Sequence, residues 1–299
     1  MIKAWKPALR ELMDDDEAAV LVTVIEARGS TPRDEGAWLA VGGKGFIGTI
    51  GGGALEFDAI ARARDLLSQE GMWLRQVVEQ PLGPNLGQCC GGHVRLLFER
   101  IGKAEMAELA RLSEHASTCH PLESGVPASD ISTESREDTH SVYHRPATAS
   151  PRSLFVYGAG HVGRALMAIT GDLGFDRTWV DISRDRFPAT VPEDINVLVA
   201  AQPDVAAGYA PDNAVHLVLT HDHALDQEIC ATLLNKGKFG FLGLIGSDTK
   251  RTRFTRRLSD AGIDPSMLDR LVCPVGIRAV RGKDPARVAL SIAAQLASL

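Results

Sequence analysis

Residues 154–166 read Leu-Phe-Val-Tyr-Gly-Ala-Gly-His-Val-Gly-Arg-Ala-Leu, and this stretch decides the fold of the second half of the chain. Its four leading residues predict a strand, and Gly158, Gly160 and Gly163 follow at the spacing of a phosphate-binding loop. Glycines permit a tight turn and let backbone amides approach phosphate oxygens, while the N-terminus of the next helix adds partial positive charge. A plain strand-turn-helix junction is the alternative, but the strand before the loop and the helix after it favour ligand binding.

Apolar strands and amphipathic helices alternate regularly after this loop. Such alternation predicts a doubly wound parallel sheet, so we expect a Rossmann-like α/β domain. Asp181 ends the next predicted strand about 20 residues after the loop, where dinucleotide-binding folds place a ribose-binding acid. The predicted strands and helices cover 154–157, 162–170, 177–180, 197–199, 215–219, 225–235 and 239–245, followed by a last helix capped by Asp284.

The first half of the chain predicts a mixed α+β domain. β-Branched residues indicate a strand at 20–25, and apolar spacing predicts a helix at 54–67, directly after three glycines. Between residues 113 and 152, 16 of 40 residues are Ser, Thr or Pro and hydrophobic periodicity disappears, which is typical of a polar linker. The predicted domains are therefore 1–112 and 153–299, joined by the linker 113–152.

Composition narrows the class of protein. With 44% hydrophobic and 23% charged residues, the 299-residue chain is close to the globular average. A formal net charge of −6 provides no general attraction to nucleic acids or anionic membranes, so neither is an expected partner. Residues 1–7 contain no apolar signal segment, and no run is long enough to span a bilayer. Scattered cysteines fit a reducing compartment, and we expect a cytoplasmic protein.

A polar cluster, Thr220-His-Asp-His223, ends the predicted strand 215–219. It is expected at the carboxyl edge of the sheet, where doubly wound folds bind ligands. On extended backbone His221 and His223 would point the same way, which indicates a ligand contact, a proton-transfer group or a two-histidine metal site. Alternatively, Asp222 only caps the following helix and the histidines are exposed. A closed metal site lacks further ligands.

The strand at 239–245 leads into Gly246 and Ser247 and then into a strongly basic helix. Ser247 is positioned to cap that helix or to bind phosphate. Lys250, Arg253 and Arg257 share one helical face, which suits an anionic ligand or an acidic partner. A solvated helix face is the commoner explanation.

Two adjacent cysteines, Cys89 and Cys90, lie in the glycine-rich segment 87–92. No second Cys or His cluster follows at zinc-ligand spacing, and adjacent cysteines do not form a C-x-x-C redox pair. A thiolate here suits a soft metal or a carried sulfur atom. A glycine-rich hairpin with two packed side chains is an equal alternative on residue types alone.

Taken together, the motifs resemble the XdhC family, the accessory proteins that mature xanthine dehydrogenase and related molybdenum hydroxylases. The resemblance covers nearly the whole chain and rests on several motifs in one order. Those motifs are Arg28-Gly-Ser-Thr-Pro-Arg33, Gly48-Thr-Ile-Gly-Gly-Gly-Ala-Leu-Glu56, Leu86-Gly-Gln-Cys-Cys-Gly-Gly92, Phe155 to Leu166, Leu219 to Asp226, Gly243 to Ser247 with Lys250-Arg251, and Cys273-Pro-Val-Gly276.

The resemblance implies a homodimeric chaperone without turnover of its own. Such a protein binds the molybdenum cofactor (molybdopterin) as cargo, protects it while a cysteine desulfurase supplies the terminal sulfido ligand, and delivers it to apo-xanthine dehydrogenase. It also favours a thiol contact to the cofactor's molybdenum, and Cys90, which is next to Gly91, is the better candidate of the pair. The residues expected to bind the cofactor are Gly158, Gly160, His161, Gly163, Asp181, His221, Asp222, Gly246, Ser247, Cys89 and Cys90.

Two other functions fit parts of the sequence. The glycine loop with Asp181 also satisfies the dinucleotide rule, so an NAD(P)-dependent oxidoreductase is the alternative, although no hydride-transfer acid/base group accompanies the loop. A metal-dependent hydrolase built on His221 and His223 lacks the number of ligands that an open catalytic site requires.

Overall fold

The computed structural model describes residues 4–14, 16–83, 91–112, 117–130, 142–147 and 151–299. The chain divides into two compact units, Ile2–Ser150 and Pro151–Leu299, here called the N-terminal and C-terminal units. No helix in the described ranges is both long and apolar enough to span a bilayer.

The N-terminal unit contains a five-stranded antiparallel sheet in the order β3-β2-β1-β5-β4. Its central strand β1 is rich in β-branched residues, and its first seven residues are buried. The helix α2 buries one stripe of apolar side chains, as its sequence spacing predicts. The elements are α1 Trp5–Met13, β1 Ala18–Arg28, β2 Trp38–Val41, β3 Phe46–Gly48, α2 Gly53–Leu67, β4 Arg75–Pro81, β5 His93–Gly102 and α3 Lys103–Leu109.

The described part of segment 113–152, which composition predicts as a polar linker, contains regular secondary structure. It forms a second small sheet in the order β7-β6-β8, with both pairings antiparallel. The strands are β6 Thr118–Pro121, β7 Ser129–Asp130 and β8 Val142–Arg145.

Polar residues of this small sheet are buried, which is why composition misled the prediction. The carboxylate of Glu99 on β5 lies 3.0 Å from Arg75, 3.0 Å from His120 and 3.4 Å from Arg145. Burial alone raises the pKa of Glu99, but His120 and the two guanidinium groups outweigh it and hold the pKa at about 2. Arg145 also donates to the hydroxyl of Thr23 on β1 at 2.8 Å. Paired in this way, charged residues join the small sheet to the larger one.

The C-terminal unit has a six-stranded parallel sheet in the order β11-β10-β9-β12-β13-β14. Within the unit this is the strand order 3-2-1-4-5-6 of dinucleotide-binding folds, and the predicted Rossmann-like architecture is confirmed. Its elements are β9 Arg152–Tyr157, α4 His161–Ile169, β10 Phe175–Asp181, β11 Ile195–Val199, α5 Pro203–Gly208, β12 Val215–Val218, α6 His223–Lys236, β13 Phe241–Leu244, α7 Asp248–Asp260, α8 Pro265–Leu268, β14 Leu271–Val272 and α9 Pro285–Leu296.

Helices cover both faces of this sheet. One hydrophobic core contains Leu166 of α4 and Ile292 of α9, and a second contains Leu233 of α6 and Leu258 of α7. The strand order reverses between β9 and β12, so the loops that follow these two strands diverge. A crevice therefore opens at the carboxyl ends of the strands, the usual ligand position in such sheets.

Candidate functional site

The glycine loop follows β9 and leads into α4. Gly158 has φ +116°, a conformation that favours glycine, and a Cβ there would lie 2.6 Å from the carbonyl oxygen of Leu219. A Cβ at Gly163 would lie 2.1 Å from the carbonyl oxygen of Gly158. Both positions therefore require glycine for packing within the fold.

Gly160 differs from its neighbours. It precedes α4 with φ −72°, which any residue adopts, and a Cβ there would meet no atom of the described residues within 4 Å. The fold itself imposes no need for glycine at this position. What the small residue does provide is open space beside the N-terminus of a nine-residue helix, where an anion is favoured. His161 is the first residue of α4 and is exposed.

Asp181 lies at the end of β10, as the sequence predicts, but its carboxylate serves the loop. Oδ2 accepts a hydrogen bond from the amide of Ala159 at 2.6 Å, and Oδ1 accepts one from the amide of Ile182 at 2.7 Å. The side chain of Trp179 donates to the carbonyl oxygen of Gly158 at 3.1 Å. These bonds fix the loop from the adjacent strand, and the carboxylate is largely buried.

Arg186 connects the glycine loop with the end of β12. Its Nε lies 3.6 Å from Oδ1 of Asp181, and its Nη1 donates to Nδ1 of His221 at 3.2 Å. Arg164 of α4 donates to the carbonyl oxygen of Arg186 at 2.6 Å. The structure thus brings His221 and the glycine loop to one edge of the sheet. Sequence reasoning missed Arg186, whose only signal is a basic residue shortly after β10.

Asp222 and His223 depart from the expected extended arrangement. Asp222 is the N-cap of α6 and accepts hydrogen bonds from the amides of Ala224 at 2.7 Å and Leu225 at 3.3 Å, which lower its pKa. His223 is the first residue of that helix, so the two histidines do not share an extended strand. The structure therefore shows Asp222 as a capping residue, whose Oδ1 accepts both backbone hydrogen bonds.

A cleft of about 560 Å³ opens at the ends of β12 and β13. We call it the basic cleft; Thr220, His221 and His223 line one side, and residues of 245–257 line the other, including Gly246, Ser247, Lys250, Arg253, Phe254 and Arg257. None of its lining residues in the described chain carries a carboxylate. The basic face of α7, for which the sequence favoured a solvated surface, thus lines a concave site.

A buried carboxylate lies beneath this cleft. Asp226 of α6 is fully buried; its Oδ2 accepts from Nζ of Lys250 at 2.6 Å, and its Oδ1 accepts from the hydroxyl of Thr220 at 2.6 Å. Ser247 caps α7 by accepting from the amide of Lys250 at 3.2 Å. A Cβ at Gly246 would lie 2.7 Å from Cδ of Lys250, so the strand-helix turn is closely packed. Asp226 was not predicted from sequence.

Close packing between loops requires glycine at two positions in the glycine-rich motifs of the N-terminal unit. A Cβ at Gly92 would lie 2.3 Å from the carbonyl oxygen of Ser30, and a Cβ at Gly51 would lie 2.6 Å from Pro32. The loops that follow β1, β3 and β4 therefore meet.

The glycine triplet before α2 is not an open anion site. One carboxylate oxygen of Glu56 accepts hydrogen bonds from the hydroxyl of Thr49 at 2.6 Å and from the amides of Ile50 at 3.1 Å and Gly52 at 3.2 Å. Cys89 and Cys90 lie outside the described residues, between β4 and β5. Within the described ranges, no group of three or more His, Cys, Asp or Glu side chains could hold a metal ion.

Two protein-family models match the chain. The model of the XdhC and CoxI family matches residues 12–77, and the model of the XdhC Rossmann domain matches residues 154–296.

Relatives match over nearly the full length of this chain. The molybdenum cofactor insertion chaperone PaoD of Escherichia coli strain K12 is 25% identical over 97% of this chain and 86% of PaoD. A protein of Bacillus subtilis strain 168, named as a probable subunit of xanthine dehydrogenase, is 23% identical over 96% of this chain and 95% of that protein. The uncharacterized protein YqeB of E. coli K12 is 28% identical over 92% of this chain, which spans only 42% of YqeB.

A solved structure has the same fold. The crystal structure of a protein described as a xanthine dehydrogenase from Bacillus halodurans superposes with a TM-score of 0.79 over 97% of this chain and 94% of that chain, at 23% sequence identity.

Proposed function

Because the chain belongs to the XdhC family, we propose that it is an accessory protein of xanthine dehydrogenase maturation that binds the molybdenum cofactor as cargo. In this proposal it protects the cofactor during sulfuration and delivers it to the apo-enzyme, without catalytic turnover of its own. The name of the relative PaoD, a molybdenum cofactor insertion chaperone, supports this role.

The open position at Gly160 carries the proposal. The cofactor is a pterin with a phosphate ester at one end and a dithiolene-bound metal at the other. A phosphate ester needs backbone donors and room for its oxygens, and the N-terminus of α4 beside Gly160 offers both. Gly158, Gly163 and Asp181 hold the loop in that shape through their packing and hydrogen bonds.

The remaining parts of the proposal concern the metal end and the partners. Thiols are soft donors suited to a sulfur-ligated metal, and Cys89 and Cys90 share one glycine-rich loop. A cysteine desulfurase is the proposed sulfur source, apo-xanthine dehydrogenase the recipient, and a homodimer the working form.

The strand order 3-2-1-4-5-6 favours one rival, an NAD(P)-dependent oxidoreductase. Two observations weigh against it. Both oxygens of Asp181 already accept backbone hydrogen bonds, whereas a ribose-binding acid presents them to the ligand. The second half of the crevice, where a nicotinamide would lie, is lined by Arg253 and Arg257, and unpaired positive side chains disfavour an oxidised nicotinamide, which is itself cationic.

One experiment separates the two functions. The protein is purified from cells that make molybdenum cofactor, denatured, and the released small molecules are identified by mass spectrometry, with molybdenum measured by elemental analysis. We expect oxidised pterin and molybdenum in matching amounts. Release of nicotinamide dinucleotide without pterin or molybdenum would replace the proposed function with the oxidoreductase.

A further inference from the structure

The basic cleft contains positive charge that no carboxylate of the described chain neutralises. Lys250 is paired with the buried Asp226, so its charge is balanced inside the fold. Arg253 and Arg257 have no ion pair in the part of the chain that the structure describes, and both side chains line the cleft. Two exposed guanidinium groups therefore face a concave site whose lining includes no acid.

The spacing of these residues is unfavourable for the helix by itself. Arg253 and Arg257 are four positions apart, so they are neighbours on the surface of α7, and like charges at this spacing destabilise a helix. A neighbouring face of the same helix is arranged differently. There Arg256 lies 3.9 Å from Asp260, and the surface depression that it lines also contains Asp269. Arg253 and Arg257, by contrast, line a cleft whose described lining contains no acid.

The cleft lies beside the glycine loop without being part of it. The loop follows β9, whereas the cleft follows β12 and β13, which belong to the second half of the doubly wound sheet. His221 connects the two places, because it lines the cleft and accepts a hydrogen bond from Arg186, which contacts Asp181 behind the loop. A ligand that spans the crevice would meet both.

We propose that Arg253 and Arg257 form a second anion subsite, which binds an oxyanion group of the ligand separate from the phosphate at the glycine loop. The ligand would then carry two anionic groups, one at each half of the crevice. Guanidinium groups suit this role because each donates two parallel hydrogen bonds to phosphate oxygens. Lys250 is not part of the subsite, because it donates a hydrogen bond to Asp226 of α6 and so joins α7 to α6. The inference deepens the proposed function and rests on it for the nature of the ligand.

The test uses the full-length protein with inorganic phosphate as the probe. Arginine residues are modified with phenylglyoxal in the presence or absence of phosphate, at equal ionic strength set with sodium chloride, and each modified peptide is quantified by mass spectrometry. Arg256 is the matched control, since it is an exposed arginine of the same helix that lines a different surface depression. We expect phosphate to slow modification of Arg253 and Arg257 several-fold and to leave Arg256 unchanged. Equal rates at all three arginines would overturn the subsite.

A variant distinguishes the subsite from the glycine loop. In Gly160→Val, phosphate should still protect Arg253 and Arg257; loss of that protection would mean that the anion sits at the loop, and the separate subsite would be wrong. The experiments can also refute the proposed function without refuting the subsite. Protection by phosphate in a protein that releases no pterin or molybdenum keeps the subsite and removes the chaperone role.

Affinity for the natural cargo supplies the second measurement. Arg253→Ala combined with Arg257→Ala should weaken binding of molybdenum cofactor by at least about tenfold, whereas Arg256→Ala should change it less than about twofold. Equal affinities of the double variant and of Arg256→Ala would contradict a role of the subsite in cargo binding.

Discussion

The carboxylate of Asp181 lies 2.6 Å from the backbone amide of Ala159, so the end of β10 holds the glycine loop that follows β9. Its other oxygen accepts from the amide of Ile182. In this chain the acid at the second strand is therefore a support of the loop. The sequence pattern alone does not distinguish this arrangement from a ribose-binding acid, because both place a carboxylate at the same position.

Removal of that support should lower stability. Asp181→Ala leaves the amide of Ala159 buried without an acceptor, and we expect the free energy of unfolding to fall by about 1–3 kcal/mol. Asp181→Asn keeps one acceptor oxygen and should cost less. Urea denaturation of the three proteins measures both effects. Unchanged stability of the alanine variant would show that the hydrogen bond contributes nothing.

Gly160 and Gly163 offer a matched pair that separates binding from packing. A Cβ at Gly160 would meet no neighbour within 4 Å, but Gly160 is the N-cap of α4 and valine is a poorer N-cap residue. The free energy of unfolding of Gly160→Val should therefore fall by no more than about 1 kcal/mol, while cofactor binding falls at least about tenfold. Gly163→Ala places a Cβ 2.1 Å from a carbonyl oxygen and should destabilise the unit by about 1–3 kcal/mol or more. Denaturation curves and cofactor titrations test both. Full cofactor binding by a folded Gly160→Val protein would refute the phosphate cradle.

His221 should contribute to the ligand pocket from the neighbouring loop. Its side chain is exposed and lines the basic cleft, so His221→Ala is expected to weaken cofactor retention several-fold without changing the melting temperature. Asp222→Ala is the contrasting variant, because loss of the N-cap of α6 is expected to lower the free energy of unfolding by about 0.5–2 kcal/mol. Gel filtration followed by molybdenum analysis measures retention. Identical retention by wild type and His221→Ala would remove this histidine from the site.

The sequence predicts the fold of the C-terminal unit better than that of the N-terminal unit. The alternation of strands and helices after Leu154 predicts the parallel sheet because its buried strands are short continuous apolar runs, separated by helices whose apolar residues recur with a period of 3.6. The same reasoning does not predict the small sheet within segment 113–152. Its buried residues include His120 and Arg145, which resemble surface residues in composition and are stable inside only because Glu99 is close in space. Arg186 was missed because its contact with His221 joins residues that are 35 positions apart in the chain.

The buried Glu99 makes a prediction about pH. Its pKa is lowered from 4.5 to about 2 in the folded protein, so its contribution to stability is fully present above about pH 4.5 and is lost as the pH falls through the folded pKa. His120 adds to the loss on acidification, because burial lowers its pKa and the neutral ring is favoured in the folded state. Hydrogen exchange of β5 amides from pH 7 to pH 2 should show this loss. In Glu99→Gln the step between pH 4.5 and 2 should disappear; an unchanged step would assign it to other carboxylates.

The last prediction concerns the thiols. The three cysteines that the structure describes are buried, and burial raises the pKa of Cys119, Cys230 and Cys273, so none offers a ready thiolate. Cys89 and Cys90 shortly precede Gly92 in the sequence. The backbone of Gly92 packs so closely against the carbonyl oxygen of Ser30 that no side chain would fit there. In the sequence Cys90 precedes Gly91 whereas Cys89 follows Gln88, and on this basis we predict Cys90 as the thiol that contacts the cofactor.

We therefore expect Cys90→Ala to reduce the delivery of active, sulfurated cofactor to apo-xanthine dehydrogenase, and Cys119→Ala to leave it unchanged. Each purified variant is preloaded with cofactor under reducing conditions and mixed with the apo-enzyme, and reconstituted xanthine dehydrogenase activity is measured. Cofactor bound before mixing is quantified separately, so that a loss of binding is distinguished from a loss of transfer. Equal activity from wild type, Cys89→Ala, Cys90→Ala and the double variant would exclude both thiols from the mechanism, because no other described cysteine is placed to substitute for them.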